Sequence, residues 1–187
     1  LVGNSIDRLR SAYQDALKRD PDMTIALFSL AGIEMLSNDI EVSAKHYEQF
    51  LDRWRGAHDY VRDAQLRLRQ IYPVLGDQYM RRRMPNEAGR VLERFVELGG
   101  QSPQVYTNLA FVYAQKEQYQ RALEHGKHAL RLAPDFGRAH FSLGLIYEAM
   151  GRPSEAVKHY QLVLDSQVQD DRLAEQARLQ IKKLMHR

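Results

Sequence analysis

The chain has 187 residues, of which 44% are hydrophobic and 27% are charged, the ordinary balance of a folded globular protein. It contains no cysteine, which excludes disulfides and thiolate metal sites, and no apolar run near the roughly 20 residues of a membrane span, which excludes direct membrane insertion of this segment. The net charge of +3 divides into 7 Lys/Arg against 10 Asp/Glu over residues 1–60 and 20 against 14 over residues 61–187, an asymmetry too mild to indicate a nucleic-acid partner.

The start of the chain does not indicate a cellular compartment. It begins at Leu1 rather than at methionine, so we expect a soluble piece of a longer protein, which could carry a leader or a membrane anchor elsewhere. A chain without thiols is compatible with any redox compartment. Localisation is therefore unknown, and both the cytoplasm and the periplasm are compatible with the sequence.

Residues 5–21 predict a single helix and its end. Asn4 or Ser5 is the expected N-cap, and Pro21 stops the helix because proline cannot continue it. The apolar face consists of Ile6, Leu9, Tyr13, Ala16 and Leu17. This segment has the character of a half repeat, the second helix of a hairpin whose first helix is missing. Its apolar face would lack a neighbour and could support a homo-oligomer.

Residues 22–54 predict a helical pair, with helices over 23–37 and 40–54 joined by a turn at Asn38-Asp39. Residues 55–69 are an insertion of about one helical segment. Apolar residues then continue at helical spacing, which favours either one long helix over 58–83, kinked at Pro73, or two helices that meet near Tyr72-Pro73. Trp54 is expected to close the hydrophobic layer before the insertion.

The remaining chain predicts further hairpins and a terminal helix. Pro85 opens a helix that ends at Gly99-Gly100, since glycine supplies the left-handed residues of helix ends. Four helices follow over 103–115, 119–132, 136–150 and 153–166. The last helix, about 170–186, has Leu173, Ala177, Ile181 and Leu184 on one face and is expected to cap the fold.

A period of 34 residues unites these segments. Tyr106, Leu109, Ala110, Tyr113 and Ala122 recur as His140, Leu143, Gly144, Tyr147 and Ala156, and 34 residues earlier as Tyr72, Leu75, Gly76, Tyr79 and Ala88. A fixed period of this length indicates a helix–turn–helix solenoid. We therefore predict a single all-α domain, a right-handed superhelical solenoid of antiparallel helix pairs, with a degenerate repeat over 22–54, repeats over 70–100, 102–135 and 136–168, and a capping helix over 169–187.

The residues of this period resemble the tetratricopeptide repeat (TPR). Gly144 or Ala110 would permit close helix approach, and Ala122 and Ala156 would receive the paired helix. Two positions depart from the family pattern. Glu34 stands where a tyrosine is expected, and Gly126 stands where a large residue such as Tyr160 packs, so we expect looser packing around Gly126.

The resemblance implies a concave groove, lined by the first helices of successive repeats, that holds a peptide or helix of a partner. The implied groove residues are Gln104, Thr107, Asn108, Phe111, Gln115, Arg138, Phe141, Ser142, Leu145, Glu148, Asp77 and Arg81, together with Gln70 and Val74. Exposed aromatic and aliphatic side chains there would favour an apolar peptide or an amphipathic helix. The alternative is that Phe111, Phe141 and Leu145 belong to the core or are covered by the last helix.

One TPR subfamily holds a C-terminal carboxylate with a clamp of lysine, asparagine and arginine residues. Asn108 and Arg138 match two clamp positions, whereas Pro73 and Asp77 replace a lysine and an asparagine and Ser142 replaces an arginine. An acid in place of an amide repels a carboxylate, so the sequence argues against this clamp.

The remaining candidate motifs are better explained without a metal site or a catalytic site. His125-x-x-His128, with His159 on a later helix, could begin a zinc site, but surface histidines are the better interpretation because a third ligand and its support are not evident. The run Arg81-Arg82-Arg83 is interpreted as a solvated turn. We find no phosphate loop and no nucleophile beside a base, and we predict no enzyme activity, no metal and no cofactor.

Three functional hypotheses follow. The chain is a scaffold that binds a segment of a partner protein, a self-associating structural element, or a regulatory part of a larger protein. Only the first uses the groove that the TPR resemblance implies.

Overall fold

The computed structural model of the chain describes residues 2–166 and 171–186. Within them every regular element is helical, in agreement with the predicted all-α class. The helices are α1 (Val2–Arg19), α2 (Thr24–Leu36), α3 (Ile40–Arg53), α4 (His58–Arg81), α5 (Pro85–Glu97), α6 (Pro103–Gln115), α7 (Tyr119–Leu132), α8 (Gly137–Ala149), α9 (Pro153–Asp165) and α10 (Asp171–Met185).

The start of α1 differs from the prediction, and the course of α4 decides between two alternatives. Helix α1 already includes Asn4 and Ser5, so the prediction that one of them is its N-cap is wrong. Helix α4 is one continuous helix with Pro73 inside it, rather than two helices that meet there. The expected start of the last helix at residue 170 lies outside the described residues. None of the helices described in the two ranges has both the length and the apolar character needed to cross a membrane.

The chain divides into two compact units, Leu1–Leu75 and Gly76–Arg187, and the division falls within α4. In the first unit α2 packs against both α1 and α3. An aromatic cluster fills the end of this hairpin: Phe28 contacts Tyr47, Phe50 and Tyr60, and Trp54 contacts Phe50 and Tyr60 with ring centroids 5.1 and 5.4 Å apart. Trp54 therefore closes the hydrophobic layer, as predicted.

Glu34, the exception to the repeat pattern, is buried and paired with a residue of α1. Its Oε1 lies 3.1 Å from Arg10 Nε, and Arg10 also donates to Ser37 Oγ at 2.6 Å and to Asp7 Oδ1 at 2.7 Å. Only 4% of Glu34 is exposed. A glutamate thus replaces the repeat tyrosine because α1 supplies a guanidinium to neutralise it.

We expect Arg10→Met to lower the urea midpoint of the first unit, because it leaves the buried Glu34 carboxylate without its cation. The double variant Arg10→Met/Glu34→Gln should recover part of that loss, since no unpaired charge remains. Chemical denaturation followed by circular dichroism measures both. Equal midpoints for the single and double variants would contradict the expected recovery.

The second unit is a series of packed hairpins. Helix α6 packs with α5, α7 and α8, and α9 packs with α8 and α10. Ala177 of α10 is fully buried, and Leu173, Ile181 and Leu184 pack against the same core, which confirms the predicted apolar face of the capping helix.

The hairpin turns share one backbone conformation, and the last three of them are spaced by the 34-residue period. Asn38, Arg83, Glu117 and Gly151 all have left-handed backbones, with φ between 57° and 68°. In the last three turns, the carbonyl oxygens of Tyr79, Tyr113 and Tyr147 accept bonds at 2.9 Å from the backbone N–H five residues later, at Met84, Gln118 and Arg152. The three tyrosines thus occupy equivalent places in successive hairpins, as the 34-residue period requires.

The expectation of looser packing at Gly126 is wrong. A Cβ built on Gly126 would lie 2.7 Å from Leu143 Cδ2, and Leu143 is fully buried. The next hairpin therefore supplies the side chain that Gly126 lacks. One period later the sizes are reversed, because Tyr160 stands at the position of Gly126 and Ala177 stands at the position of Leu143. Both are fully buried, so each layer is filled by one large residue.

Candidate peptide-binding surface

The predicted groove residues of α6 differ in their availability. Phe111 is 39% exposed and Gln115 is also exposed, whereas Gln104 and Asn108 are half-buried. Thr107 is buried, and its Oγ1 donates to the carbonyl oxygen of Pro103 at 2.8 Å. Phe111 and Gln115 are therefore the accessible predicted groove residues of α6, whereas the hydroxyl of Thr107 bonds to its own helix.

Asn108 is engaged by another predicted groove residue. Its Nδ2 donates to Asp77 Oδ1 at 2.8 Å. Arg81, one turn further along α4, donates from Nε to the backbone oxygen of Asp77 at 3.4 Å. The amide that would hold a terminal carboxylate thus already holds a carboxylate of the chain, which agrees with the sequence argument against the clamp.

The predicted residues of α8 are less accessible than those of α6. Phe141 contacts Tyr160 with ring centroids 5.5 Å apart, and both Phe141 and Leu145 pack against the core that includes residues of α10. Glu148 accepts from Tyr160 Oη at 3.2 Å and lies 3.6 Å from Lys183 Nζ of α10. For Phe141 and Leu145 the core alternative therefore describes the packing.

The remaining predicted groove residues differ in burial. Ser142 is buried, and its Oγ has no hydrogen-bond partner among the described residues. Arg138 on α8 and Gln70 and Val74 on α4 are exposed, as is Arg81. Of the three large apolar residues predicted for the groove, Phe111 is exposed, whereas Phe141 and Leu145 are half-buried.

Phe111 borders a depression in the surface of the second unit. The depression has a volume of about 390 Å³ and is lined by Met80, Arg83, Pro85, Phe111 and Gln115. The end of α4, the turn after it and the start of α5 form one side, and α6 forms the other. Met80, Arg83 and Pro85 were not predicted as lining residues, because their approach to Phe111 depends on how α6 packs beside the preceding hairpin.

Two hairpins of the second unit, α6–α7 and α8–α9, repeat a tyrosine–histidine stack. His125 stacks on Tyr113 with centroids 5.1 Å apart and planes 7° apart, and 34 residues later His159 stacks on Tyr147 at 5.3 Å and 15°. These imidazoles are half-buried, so the interpretation of His125 as a surface histidine is wrong. The described residues contain no group of three or more potential metal ligands.

His159 is also bonded to a second histidine. Its Nδ1 lies 3.2 Å from His140 Nδ1, while His140 Nε2 lies 2.9 Å from the carbonyl oxygen of Pro134 and must donate to it. Two protonated imidazoles cannot face each other through Nδ1. Burial, and then the proximity of His140 and Lys127, lower the pKa of His159 to about 4.

We expect this histidine to make the fold less stable in mild acid. Because its pKa is lower in the folded than in the unfolded chain, the unfolded chain binds more protons, and stability falls as pH decreases from about 6.5 towards about 4. The variant His159→Gln should weaken this dependence. Thermal midpoints of both proteins across that range provide the measurement, and parallel pH profiles would contradict the prediction.

These features define a class: a helical repeat protein whose successive hairpins share their turns, their small-residue contacts and their aromatic pairs. Family models described as tetratricopeptide repeat match residues 10–58 and residues 101–167, which together form more than half of the chain. The chain belongs to the tetratricopeptide repeat family.

Two curated relatives share part of this sequence. The uncharacterized protein ycf37 of Cyanophora paradoxa is 30% identical over 97 residues, which are 50% of this chain and 56% of that protein. The small glutamine-rich tetratricopeptide repeat-containing protein 2 of Mycosarcoma maydis is 36% identical over 66 residues, which are 35% of this chain and 19% of that protein. The chain therefore spans about half of the first relative and a fifth of the second.

Solved structures share the fold. YrrB, described as a TPR protein with an unusual peptide-binding site, gives a TM-score of 0.61 at 19% identity and covers 95% of this chain and 85% of its own. The second TPR domain of human RPAP3, in complex with the HSP70 peptide SGPTIEEVD, gives 0.56 at 17% identity and covers 65% and 98%. At these identities the likeness shows the fold alone.

Proposed function

We propose that the chain is a protein–protein interaction module that holds a peptide or an amphipathic helix of a partner on the exposed side of α6. The observation that carries this proposal is the exposure of Phe111 beside a depression in a TPR-family unit. Large apolar side chains that stay accessible in a folded domain commonly mark interaction sites. The peptide-binding descriptions of YrrB and RPAP3 belong to those proteins and make this class of function a reasonable one for the fold.

The proposed site is a reduced form of the sequence prediction. Phe111 and Gln115 are its centre, Gln104, Arg81 and Arg138 are polar contributors, and Asp77 with Asn108 forms a fixed polar pair beside it. Phe141, Ser142, Leu145, Glu148 and Thr107 are assigned to support rather than to contact. A binding module needs no catalytic group, and we propose no enzymatic role for this chain.

A displayed library of random peptides, selected on the wild-type chain, tests the proposal. Selected peptides should bind the wild-type chain and lose affinity at least roughly tenfold for Phe111→Glu, because a carboxylate replaces an apolar contact. Circular dichroism of the variant checks its helicity, and Leu179→Glu, at an exposed position of α10, is the matched control. Undiminished binding to Phe111→Glu would refute the assignment of the site.

Self-association through α1 is the second candidate, and Leu9 supports it because 52% of this apolar residue is exposed. Light scattering over a concentration series distinguishes it from peptide binding. A mass that rises with concentration in the wild-type chain but not in Leu9→Lys would support self-association. A constant monomer mass would exclude it.

A further inference from the structure

The tyrosine–histidine stack of the α6–α7 hairpin lies beside carboxylates. Burial lowers the pKa of His125, but Glu124 and Glu93 act in the opposite direction, and more strongly than His128 and Arg121 act against them. The stacked tyrosine also donates to Glu93 Oε1 at 2.6 Å. A proton taken up by this imidazole is therefore partly compensated by negative charge.

The equivalent stack of the α8–α9 hairpin lies beside bases instead. One period after Glu93 the chain carries Lys127. Among the described residues, the groups that act on His159 are His140 of α8 and Lys127 of α7, and both oppose its protonation in addition to burial. Two stacks of nearly the same geometry thus respond differently to an added proton.

Two carboxylates on the helices of this hairpin are each paired with a cation. Arg152 lies 5.0 Å from the centre of the Tyr147 ring, on which the imidazole stacks, and its Nε donates to Glu155 Oε1 at 2.8 Å. Glu148 accepts a hydrogen bond from a tyrosine of α9 and lies 3.6 Å from a lysine of α10. The face of α10 that packs against this core is apolar. These surroundings supply His159 with no carboxylate of its own.

The two imidazoles of the α8–α9 hairpin share one hydrogen bond. Since His140 Nε2 donates to the carbonyl oxygen of Pro134, His140 Nδ1 accepts from His159 Nδ1 in the neutral pair. A first added proton, at His159 Nε2, keeps this bond but places a cation near Lys127. A second leaves two N–H groups facing each other. Only 7% of His140 is exposed, so hydration of these charges requires the helices to separate.

We propose that the α8–α9 hairpin is an acid-sensitive element that opens when His159 and then His140 take up protons, while the α6–α7 hairpin stays closed. Opening moves α8 away from α7, where Leu143 fills the space beside Gly126. Because solenoid repeats pack only against their neighbours, one hairpin can open without unfolding of the whole chain. The repeat array thus responds to acidification at one defined place.

Hydrogen–deuterium exchange of the full chain at about pH 7 and about pH 5, corrected for the intrinsic exchange rates, tests the proposal. Protection of peptides from α8 and α9 should fall at least roughly fivefold more than protection of peptides from α6 and α7. A loss of overall stability lowers the protection of both hairpins together, so the comparison isolates local opening. Equal losses in the two hairpins would contradict the proposal.

The matched variant Lys127→Glu gives the later stack the charge that Glu93 supplies to the earlier one. Lys127 is exposed, so the fold should be retained, and circular dichroism at about pH 7 checks this. The difference in protection should shrink at least roughly twofold. Lys182→Glu makes the same charge change at an exposed position of α10 and should leave the difference unchanged. Identical behaviour of the two variants would overturn the electrostatic explanation.

His140→Tyr tests the second imidazole separately. It restores the residue that stands at this position in the two preceding copies, Tyr72 and Tyr106. Without the paired imidazole, the acid-dependent loss of protection in α8 and α9 should become smaller. Acid opening of His140→Tyr as large as that of the wild-type chain would show that the histidine pair is not the sensor.

Discussion

Leu143→Ala is expected to destabilise the second unit by about 2–5 kcal/mol, the range for deleting a fully buried leucine that leaves a cavity. Leu143 has no exposed surface and occupies the space beside Gly126. The cost should lie high in that range, because a glycine offers no side chain that can move into the cavity. Urea denaturation followed by circular dichroism measures the loss.

The next repeat suggests substitutions that should compensate for the loss in Leu143→Ala. The trio Ala110, Gly126 and Leu143 corresponds to Gly144, Tyr160 and Ala177 one period later. The triple variant Ala110→Gly/Gly126→Tyr/Leu143→Ala therefore transplants the later arrangement into the earlier layer and should recover much of the stability lost in Leu143→Ala. A triple variant no more stable than the single one would show that the two layers are not interchangeable.

Gly144→Ala is expected to lower stability despite the better helix propensity of alanine. A Cβ at this position would overlap the ring of Tyr160 at Cε1 and Cδ1, and that ring is fully buried. Overpacking of this kind costs about 1–3 kcal/mol, against a gain of about 1 kcal/mol from replacing a helical glycine. The thermal midpoint should therefore fall.

Gly32→Ala is the matched control for this prediction. Gly32 also lies within a helix, but the nearest atom to its built Cβ is Tyr47 Oη at 3.9 Å, an ordinary contact. Here the propensity gain acts alone, and stability should rise by up to about 1 kcal/mol. If both substitutions changed stability in the same direction, close approach at Gly144 would not be the cause of its effect.

The polar pair of Asp77 and Asn108 restricts what the site can bind. In a clamp for a terminal carboxylate, an asparagine amide donates to that carboxylate, whereas here one N–H of the Asn108 amide is bonded to Asp77 Oδ1. The negative charge of Asp77 beside this amide repels a second carboxylate. The accessible features beside this pair are the aromatic side chain of Phe111 and the amide of Gln115.

Much of the fold could be predicted from the sequence, since a repeat specifies its hairpin through a few local rules. The 34-residue period, the small residues at Gly76, Ala110 and Gly144, and the turn at Gly151 each act over one or two helical turns or between adjacent helices. The capping face of α10 was predictable for the same reason, because helical spacing places its apolar residues together.

The candidate site was less predictable, because exposure depends on what a neighbouring element covers. Phe111 and Phe141 occupy similar faces of α6 and α8, yet Phe141 packs against the core that α10 completes while Phe111 borders an open depression. The pairing of Glu34 with Arg10, and the filling of Gly126 by Leu143, also join residues of different helices.

The sequence by itself determined the family, the helical hairpins and their period, because these depend on contacts between near neighbours in the chain. Only the tertiary structure decided which groove residues are accessible, where the depression lies and which charges are already paired. Those properties depend on side chains from separate helices that meet in one place. A repeat pattern indicates that a position is packed, but it does not indicate which side chain packs against it.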